Sequence, residues 1–479
     1  MTAAKYIVKT PVKAITADSR NVQAGSLFLA YVGEKADGRQ YIGDAIKNGA
    51  SVVLWEAENY DWHADWHIEN IAIKQLRQQA GNIASQFYKN PSSKMWMIGV
   101  TGTNGKTSIT QWLSQCFNYL NRKTAVIGTL GNGLPENMVK TNNTTPDPIL
   151  LQGMLADYAS QKTEVVAMEV SSHGLHQGRV NGVHFDVAVL SNLTRDHLDY
   201  HGTFDEYAAA KRRLFDVSDL HFAVLNADDD FGLDIAEQLA EASTVVVTYG
   251  IARGEVRASD IRFENTYFTL YAITPQGNAV VKANLIGRFN VYNVLAVLAT
   301  LLVSKVSLQD AVAAITQIKA APGRMQTMGG GKLPLVVIDY AHTPDALEKV
   351  LTTLKAQARS KLICVFGCGG NRDVGKRPLM GKVASELADA VVVTSDNPRD
   401  ENPDDIIQDI VRNMLGNFAI EEDRAKAISI AILAAKAGDI VLIAGKGHEN
   451  YQDIGGFKLP FSDIEQAGLI LKKYEERLL

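Results

Sequence analysis

A chain of 479 residues with a formal charge of −5, 46% hydrophobic and 21% charged, has the make-up of an ordinary globular protein of about three domains. The mild acidity excludes a general nucleic-acid footprint, and the longest apolar helical pattern, Val294 to Val303, is too short to insert stably in a membrane. Three cysteines, Cys116, Cys364 and Cys368, are too few for a disulfide framework, and Met1 to Tyr6 lacks the apolar core of a secretion signal, so a cytoplasmic protein is expected.

In chain order, Val12 to Asp18, Ser26 to Tyr31 and Ala50 to Trp55 read as short strands, with a short helix over Asp44 to Asn48. Asn90-Pro91-Ser92-Ser93 is a turn-rich joint that closes a first domain, residues 1–90. From 91 to 325 apolar strands alternate with helical patterns: Met95–Val100, Val165–Val170, Val187–Leu190, Ala223–Asn226 and Thr244–Tyr249. This alternation predicts a doubly wound parallel sheet of the P-loop type. The period changes over Val256 to Leu285, which predicts an antiparallel extension before an apolar helix from Val291 and a closing turn at Ala321-Pro322-Gly323-Arg324. Residues 326–479 alternate again, through Leu335–Asp339, Leu362–Phe366, Ala390–Thr394 and Ile440–Ala444, and predict a Rossmann-like C-terminal domain. The fold class is α/β with three domains.

The polar clusters follow the apolar runs, at Thr101–Thr107, Glu169–His173, Asn192–Asp199, Asp339–Asp345, Gly367–Arg377, Asp396–Glu401 and Gly445–Glu449. Open α/β sheets bind ligands at the carboxyl ends of their strands, so these loops are expected to converge on one cleft. The first cluster carries the clearest chemistry. A strand, the loop Gly102-Thr103-Asn104-Gly105 and a helix opening at Lys106-Thr107-Ser108 form a phosphate cradle, although the spacing departs from Gly-x4-Gly-Lys. Lys106 is placed to reach the terminal phosphates of ATP or GTP, and the Thr107 hydroxyl to ligate Mg²⁺.

Glu169, at a strand end, reads either as a second Mg²⁺ ligand or as a helix cap. His197 reads as a metal ligand or a structural histidine. Lys211, within Tyr207 to Phe215, reads by pattern as a solvated surface lysine. Arg324 at the domain joint suits a phosphate. The stretch Asp339-Tyr340-Ala341-His342-Thr343-Pro344-Asp345 reads as a cap, a turn or a nucleotide contact. Cys364 and Cys368 read as buried strand cysteines rather than a metal pair. The turn Asp396-Asn397-Pro398-Arg399-Asp400-Glu401 offers both signs of charge, as a zwitterionic ligand requires.

Taken in order, Thr-Gly-Thr-Asn-Gly-Lys-Thr, Met-Glu-Val-Ser-Ser-His-Gly-Leu, Thr-Arg-Asp-His-Leu-Asp-Tyr-His-Gly, Tyr-x3-Lys-x2-Leu-Phe, Gly-Arg-Phe-Asn-x2-Asn, Pro-Gly-Arg-Met and Tyr-Ala-His-Thr-Pro-Asp resemble the motifs of the Mur ligases over essentially the whole chain. Asn143-Thr144-Thr145-Pro146-Asp147 and Asp396-Asn397-Pro398-Arg399 are most similar to the members that add meso-diaminopimelate. The resemblance implies an ATP-dependent amide ligase acting on UDP-MurNAc-L-Ala-D-Glu through an acyl phosphate, in peptidoglycan precursor synthesis, and expected to be a monomer. It implies two Mg²⁺ ions, one on Thr107 and Glu169, the other on His197 and a carbamylated Lys211, which replaces the surface reading of that lysine. It further implies ATP contacts at Gly102, Thr103, Asn104, Gly105, Lys106, Thr107, Ser108, Asn290, Arg324 and His342. UDP-substrate contacts are implied at Ala17, Ser19, Asn143, Thr144, Thr145, Ser171, Gln177 and Arg179, with a uridine-side loop at Val32 to Gly38 that contains Glu34-Lys35. Diaminopimelate contacts are implied at Arg372, Asp396, Asn397, Pro398, Arg399, Gly445 and Glu449.

Overall fold

A computed structural model describes residues 9–34, 36–141, 143–217, 219–264, 266–358 and 360–477. The Met1–Tyr6 segment and Lys35 lie outside the described residues. The chain divides into two compact units: residues 1–257 with 296–307, and residues 258–295 with 308–479.

The first unit holds two sheets. Ala14–Thr16, Ser26–Ala30, Ala50–Glu56 and Glu69–Ile73 pair in that order, all parallel. Ser26–Ala30 is buried along its whole length, as a strand covered on both faces must be. Leu27, Leu29, Val52 and Leu54 pack on one apolar cluster, and Phe28, Ala30, Val53 and Trp55 on another.

The second sheet runs, from one edge, Gly131–Gly133, Thr124–Gly128, Val165–Glu169, Trp96–Thr101, Val187–Leu190, Phe222–Asn226 and Val245–Gly250. All neighbours are parallel except the edge hairpin Thr124–Gly128 with Gly131–Gly133. Trp96–Thr101 lies between Val165–Glu169 and Val187–Leu190, so the phosphate loop leaves the sheet between two other strand ends. The edge hairpin is absent from the sequence reading, because Gly131-Asn132-Gly133 has no strand-forming side chains and is held by its neighbours instead.

Of the run read as antiparallel, Val256 and Arg257 instead pair parallel with Tyr249 and Gly250, and in the second unit Phe268–Thr274 and Gly277–Ala283 form the expected antiparallel hairpin. The sheet that follows is ordered Gln326–Gly329, Leu335–Asp339, Ile440–Ala444, Leu362–Phe366, Ala390–Val393 and Phe418–Ile420. It is parallel apart from its first pair. Ile440–Ala444, last of its buried strands in sequence, inserts between two earlier ones, which sets its following loop beside theirs. Phe418–Ile420 is exposed throughout, a three-residue apolar edge strand too short to stand out in the sequence. Tyr451–Ile454 and Phe457–Pro460 form a separate hairpin. Cys364 and Cys368 are both buried and free, and burial pushes their thiols up to about 12, in keeping with inert core cysteines.

Candidate active site

The phosphate loop is built for close backbone approach. Gly102 sits at φ +138°, and a Cβ there would fall 1.9 Å from Ser191 Oγ. Ser191 Oγ donates to the carbonyls of Thr101 and Asn104. Asn192 accepts from the Asn104 N–H through Oδ1 and donates to the Asn104 carbonyl through Nδ2. Thr103 Oγ1 donates to the Thr194 carbonyl, accepts from the Thr194 N–H and lies 3.0 Å from Tyr207 Oη. The loop is thus held from the side by 191–194, which positions its N–H groups before any ligand arrives.

Two lysines converge on one oxygen of this loop. Lys106 Nζ donates to the carbonyls of Gly102 (2.8 Å) and Thr103 (2.9 Å). Lys211 Nζ donates to the same Gly102 carbonyl at 2.8 Å. Lys211 is 1% exposed and lies 4.5 Å from the centre of the Tyr207 ring. The surface reading of Lys211 from pattern therefore fails: helix Phe204–Arg212 turns that residue inward beneath the loop. Burial, and then the charge of Lys106, hold its ammonium well below the ordinary lysine range, with Asp196 opposing. A buried, readily deprotonated amine is a nucleophile.

Thr107 and Glu169 meet as the loop pattern requires. Thr107 Oγ1 donates to Glu169 Oε2 at 2.9 Å, and both side chains are buried. Thr129 completes the arrangement through its N–H to Glu169 Oε1 and its hydroxyl to Oε2. Glu169 does not cap the following helix; Ser171 does, accepting from the Gly174 N–H. The hydroxyl and carboxylate are hard oxygen donors of the kind Mg²⁺ takes.

The implied substrate residues form a chain away from Glu169. Thr144 Oγ1 lies 3.1 Å from Thr129 Oγ1, and Thr145 Oγ1 donates to the Glu169 carbonyl and contacts Ser171 Oγ. Arg179 donates to the Thr145 carbonyl and to Gln177 Oε1. Gln177 Nε2 reaches Glu34 and Tyr200 Oη, Tyr200 Oη donates to Glu34, and Arg77 pairs with Glu34 at 3.5 Å. Asn143 is tied to Thr141, its N–H and carbonyl both engaging that hydroxyl. Ser19 lies apart from this set, its carbonyl accepting from Asn48 beside Ala17 in the first sheet's loop.

His197, at φ +53°, pairs with Asp196 at 3.4 Å and packs edge-on against His173, whose ring also stacks on Tyr200. Tyr207 neighbours both residues of the implied second metal site, its ring centre 6.2 Å from that of His197 and 4.5 Å from Lys211 Nζ. Burial, followed by the charges of His197 and His201, lowers His173 to about 4. Thr129 and Arg77 carry no local motif, and Tyr200, though inside the Thr194–Gly202 motif, is given no role by it; only the fold shows what these three hold.

In the second unit Asp339 accepts from the N–H groups of Met325 and Ala341 and braces the turn, while Thr343 caps the following helix, accepting from the Ala346 N–H. Arg324 lies over the Tyr340 ring at 4.7 Å, and its buried Nε has no hydrogen-bond partner among the described residues. His342 Nδ1 lies 2.8 Å from the Tyr340 carbonyl, and Lys376 donates to the His342 carbonyl. Asn290 is buried and braces its own helix start, donating to the Ile286 carbonyl and accepting from Asn293.

The Asp396–Arg399 turn meets the loop after Ile440–Ala444. Asn397 donates to Glu449 Oε2 at 2.8 Å, and Lys446 Nζ donates to Asn397 Oδ1 and to Glu449 Oε2. Lys446 is fully buried; the sequence places it in the Gly445–Glu449 cluster without giving it a role, although it sits between two implied contacts, Gly445 and Glu449. Gly445, at φ +114°, leaves no room for a Cβ, which would lie 2.5 Å from Asp396 Oδ2. Pro398 is buried, and Arg399, at φ +52°, donates through Nη1 to the Gly370 carbonyl and lies 3.9 Å from Asp453. Arg372 is exposed on the neighbouring Gly-rich loop.

Three stretches match family descriptions: residues 11–88 the Mur ligase family, catalytic domain, 100–301 the Mur ligase middle domain, and 323–447 the Mur ligase, glutamate ligase domain. A protein of Chromobacterium violaceum named UDP-N-acetylmuramoyl-L-alanyl-D-glutamate–2,6-diaminopimelate ligase is 51% identical over 98% of this chain and 96% of its own length. The chain belongs to the Mur ligase family. A protein of the same name from Neisseria meningitidis serogroup A is 48% identical over 95% of this chain and 94% of its own. A solved structure of a ligase of that name aligns with a TM-score of 0.75 at 37% identity, covering 97% of this Mur ligase family member and 96% of that chain.

Proposed function

We propose that this chain is an ATP-dependent ligase that joins meso-diaminopimelate to the D-Glu γ-carboxylate of UDP-MurNAc-L-Ala-D-Glu, a cytoplasmic step of peptidoglycan precursor synthesis. Residues 1–90 serve the UDP end of the substrate, 91–325 the nucleotide, and 326–479 the amino acid. The observation that carries the reading is the pair of lysine amines, Lys106 and Lys211, donating to one phosphate-loop carbonyl beside Thr107 and Glu169. Two amines drawn to one loop oxygen at a helix start, Lys106 beside a Lys211 whose charge burial and Lys106 disfavour, form a site suited to phosphate and to carbamylation.

Thr107 and Glu169 would hold one Mg²⁺, and His197 with a carbamylated Lys211 the second; the ions neutralise phosphate charge when bound. The carbamate forms when the neutral Lys211 amine attacks CO₂ and releases one proton to solvent, turning a cation into an oxygen ligand. Lys106 swings from its own loop carbonyls to the terminal phosphate. A γ-carboxylate oxygen then attacks the γ-phosphorus and ADP departs, leaving an acyl phosphate. The amine of the incoming amino acid attacks the acyl carbon, the tetrahedral intermediate expels phosphate, and the nitrogen loses its proton.

Diaminopimelate differs from lysine by a carboxylate at its far end. Arg399, with Arg372, suits that group, and Glu449 the neighbouring ammonium. Lysine lacks the carboxylate that Arg399, braced by Gly370 and Asp453, would receive. The test is phosphate release with ATP, UDP-MurNAc-L-Ala-D-Glu and a panel of amino acids. Turnover is expected with meso-diaminopimelate. Equal turnover with lysine would overturn the amino-acid assignment, and ATP hydrolysis without the other two substrates would overturn the ligase.

A further inference from the structure

At the opposite end of the same sheet from the phosphate loop, three side chains aim at one point. Asp186 immediately precedes strand Val187–Leu190, and His221 immediately precedes Phe222–Asn226. His184 lies two residues before Asp186. His221 Nδ1 is 3.3 Å and His184 Nε2 3.6 Å from the same oxygen, Asp186 Oδ1. The three ligand atoms lie within 4.8 Å of one another. The imidazole rings stand nearly perpendicular, with centroids 5.8 Å apart.

The support around these groups is stiff. Asp186 is buried, and its other oxygen, Oδ2, accepts from the Met97 N–H at 2.7 Å, which points Oδ1 at the histidines. Its backbone is bonded on both sides, N–H to the Met97 carbonyl and carbonyl to the Phe222 N–H. Trp96 stacks on the His221 ring at 30°, and the Trp96 indole is itself held by Ser304 Oγ. The His184 N–H donates to Ser92 Oγ. Both separations to Asp186 Oδ1 exceed those of good hydrogen bonds. They are close to the roughly 3.4 Å between donors about 2.1 Å from a tetrahedral ion.

We infer that His184, Asp186 and His221 form a binding site for one borderline divalent cation of the Zn²⁺ or Co²⁺ type. Two imidazoles and one carboxylate, with the rest of the coordination shell open to water, are a donor set that such ions take and that Mg²⁺ does not favour. The Met97 N–H supplies the outer hydrogen bond that orients the ligating carboxylate. Nothing in the ligase chemistry uses these residues; a bound ion would tie the starts of two parallel strands together.

Tag-free, chelator-stripped protein is titrated with Co²⁺, read by its visible absorption, and with Zn²⁺ in competition. One Co²⁺ per chain is expected to bind, to be displaced by Zn²⁺ and to resist excess Mg²⁺. His184→Ala and His221→Ala should each weaken Co²⁺ binding by more than the roughly tenfold to hundredfold that loss of an outer-shell partner costs. Zn²⁺ should raise the thermal midpoint of the parent protein and not that of His221→Ala, whose side chain is 55% exposed and expendable to folding. His173→Ala should keep the Co²⁺ signal. Binding unchanged in His184→Ala or His221→Ala, or lost in His173→Ala instead, would overturn the assignment, as would no binding at all.

Discussion

Replacing Lys211 with methionine separates the two roles a buried lysine can have. The substitution keeps most of the side chain's length and removes its charge. The fold loses one hydrogen bond, Nζ to the Gly102 carbonyl at 2.8 Å, worth about 1 kcal/mol. It also loses the approach of Nζ to the Tyr207 ring, worth about 0.5–1 kcal/mol. Against this, an ammonium 1% exposed and repelled by Lys106 no longer has to be desolvated. The terms oppose each other, so stability should move by no more than about 1–2 kcal/mol. Turnover should fall at least about 10²- to 10³-fold, the scale on which loss of one preorganised electrostatic group registers. The assay is phosphate release beside a thermal melt, each run in CO₂-stripped and bicarbonate-supplemented buffer. Parent enzyme should slow in the first and recover in the second; Lys211→Met should be inactive in both and melt normally. A Lys211→Met variant with near-parental turnover, or a parent indifferent to CO₂ with an unmodified ammonium in its crystal structure, would refute the carbamate.

Glu169→Gln places an amide among three donors, the Thr107 hydroxyl, the Thr129 N–H and the Thr129 hydroxyl, so the half-saturating Mg²⁺ concentration should rise by about tenfold or more, read by Mg²⁺ titration of turnover. Lys446→Met leaves Glu449 paired with Asn397 alone in a largely buried pocket; the KM for the amino acid should rise while that for the UDP substrate stays constant, and parallel changes would contradict the pocket assignment. Arg399→Ala should likewise raise the amino-acid KM steeply without weakening the UDP substrate. His173 is lowered from 6.5 to about 4 in the fold, so the unfolded chain binds the extra proton first. Its stabilising contribution is complete above pH 6.5 and is lost as pH falls through about 4. His173→Gln should therefore flatten the fall of the melting midpoint across that window.

What the sequence determined by itself was most of the buried parallel strands and the loops after them. Apolar runs such as Val165–Glu169 and Ile440–Ala444 are buried on both faces and announce themselves without context. The Lys106-Thr107 phosphate loop is likewise local, because strand, glycines and helix start are contiguous. Partnership was a different matter. Lys211 reads as a surface residue until the packing of its helix shows it under Gly102, and Thr129 has no motif although it holds both oxygens of Glu169. Lys446 stands beside implied contacts yet gains its role only from Asn397, 49 positions away in the chain. The His184–Asp186–His221 cluster depends on two strand starts being neighbours in the sheet. Periodicity reports which face of an element is apolar. Which distant charge, hydroxyl or ring then shares an atom with it is set by strand order and helix rotation, and those are properties of the packed chain.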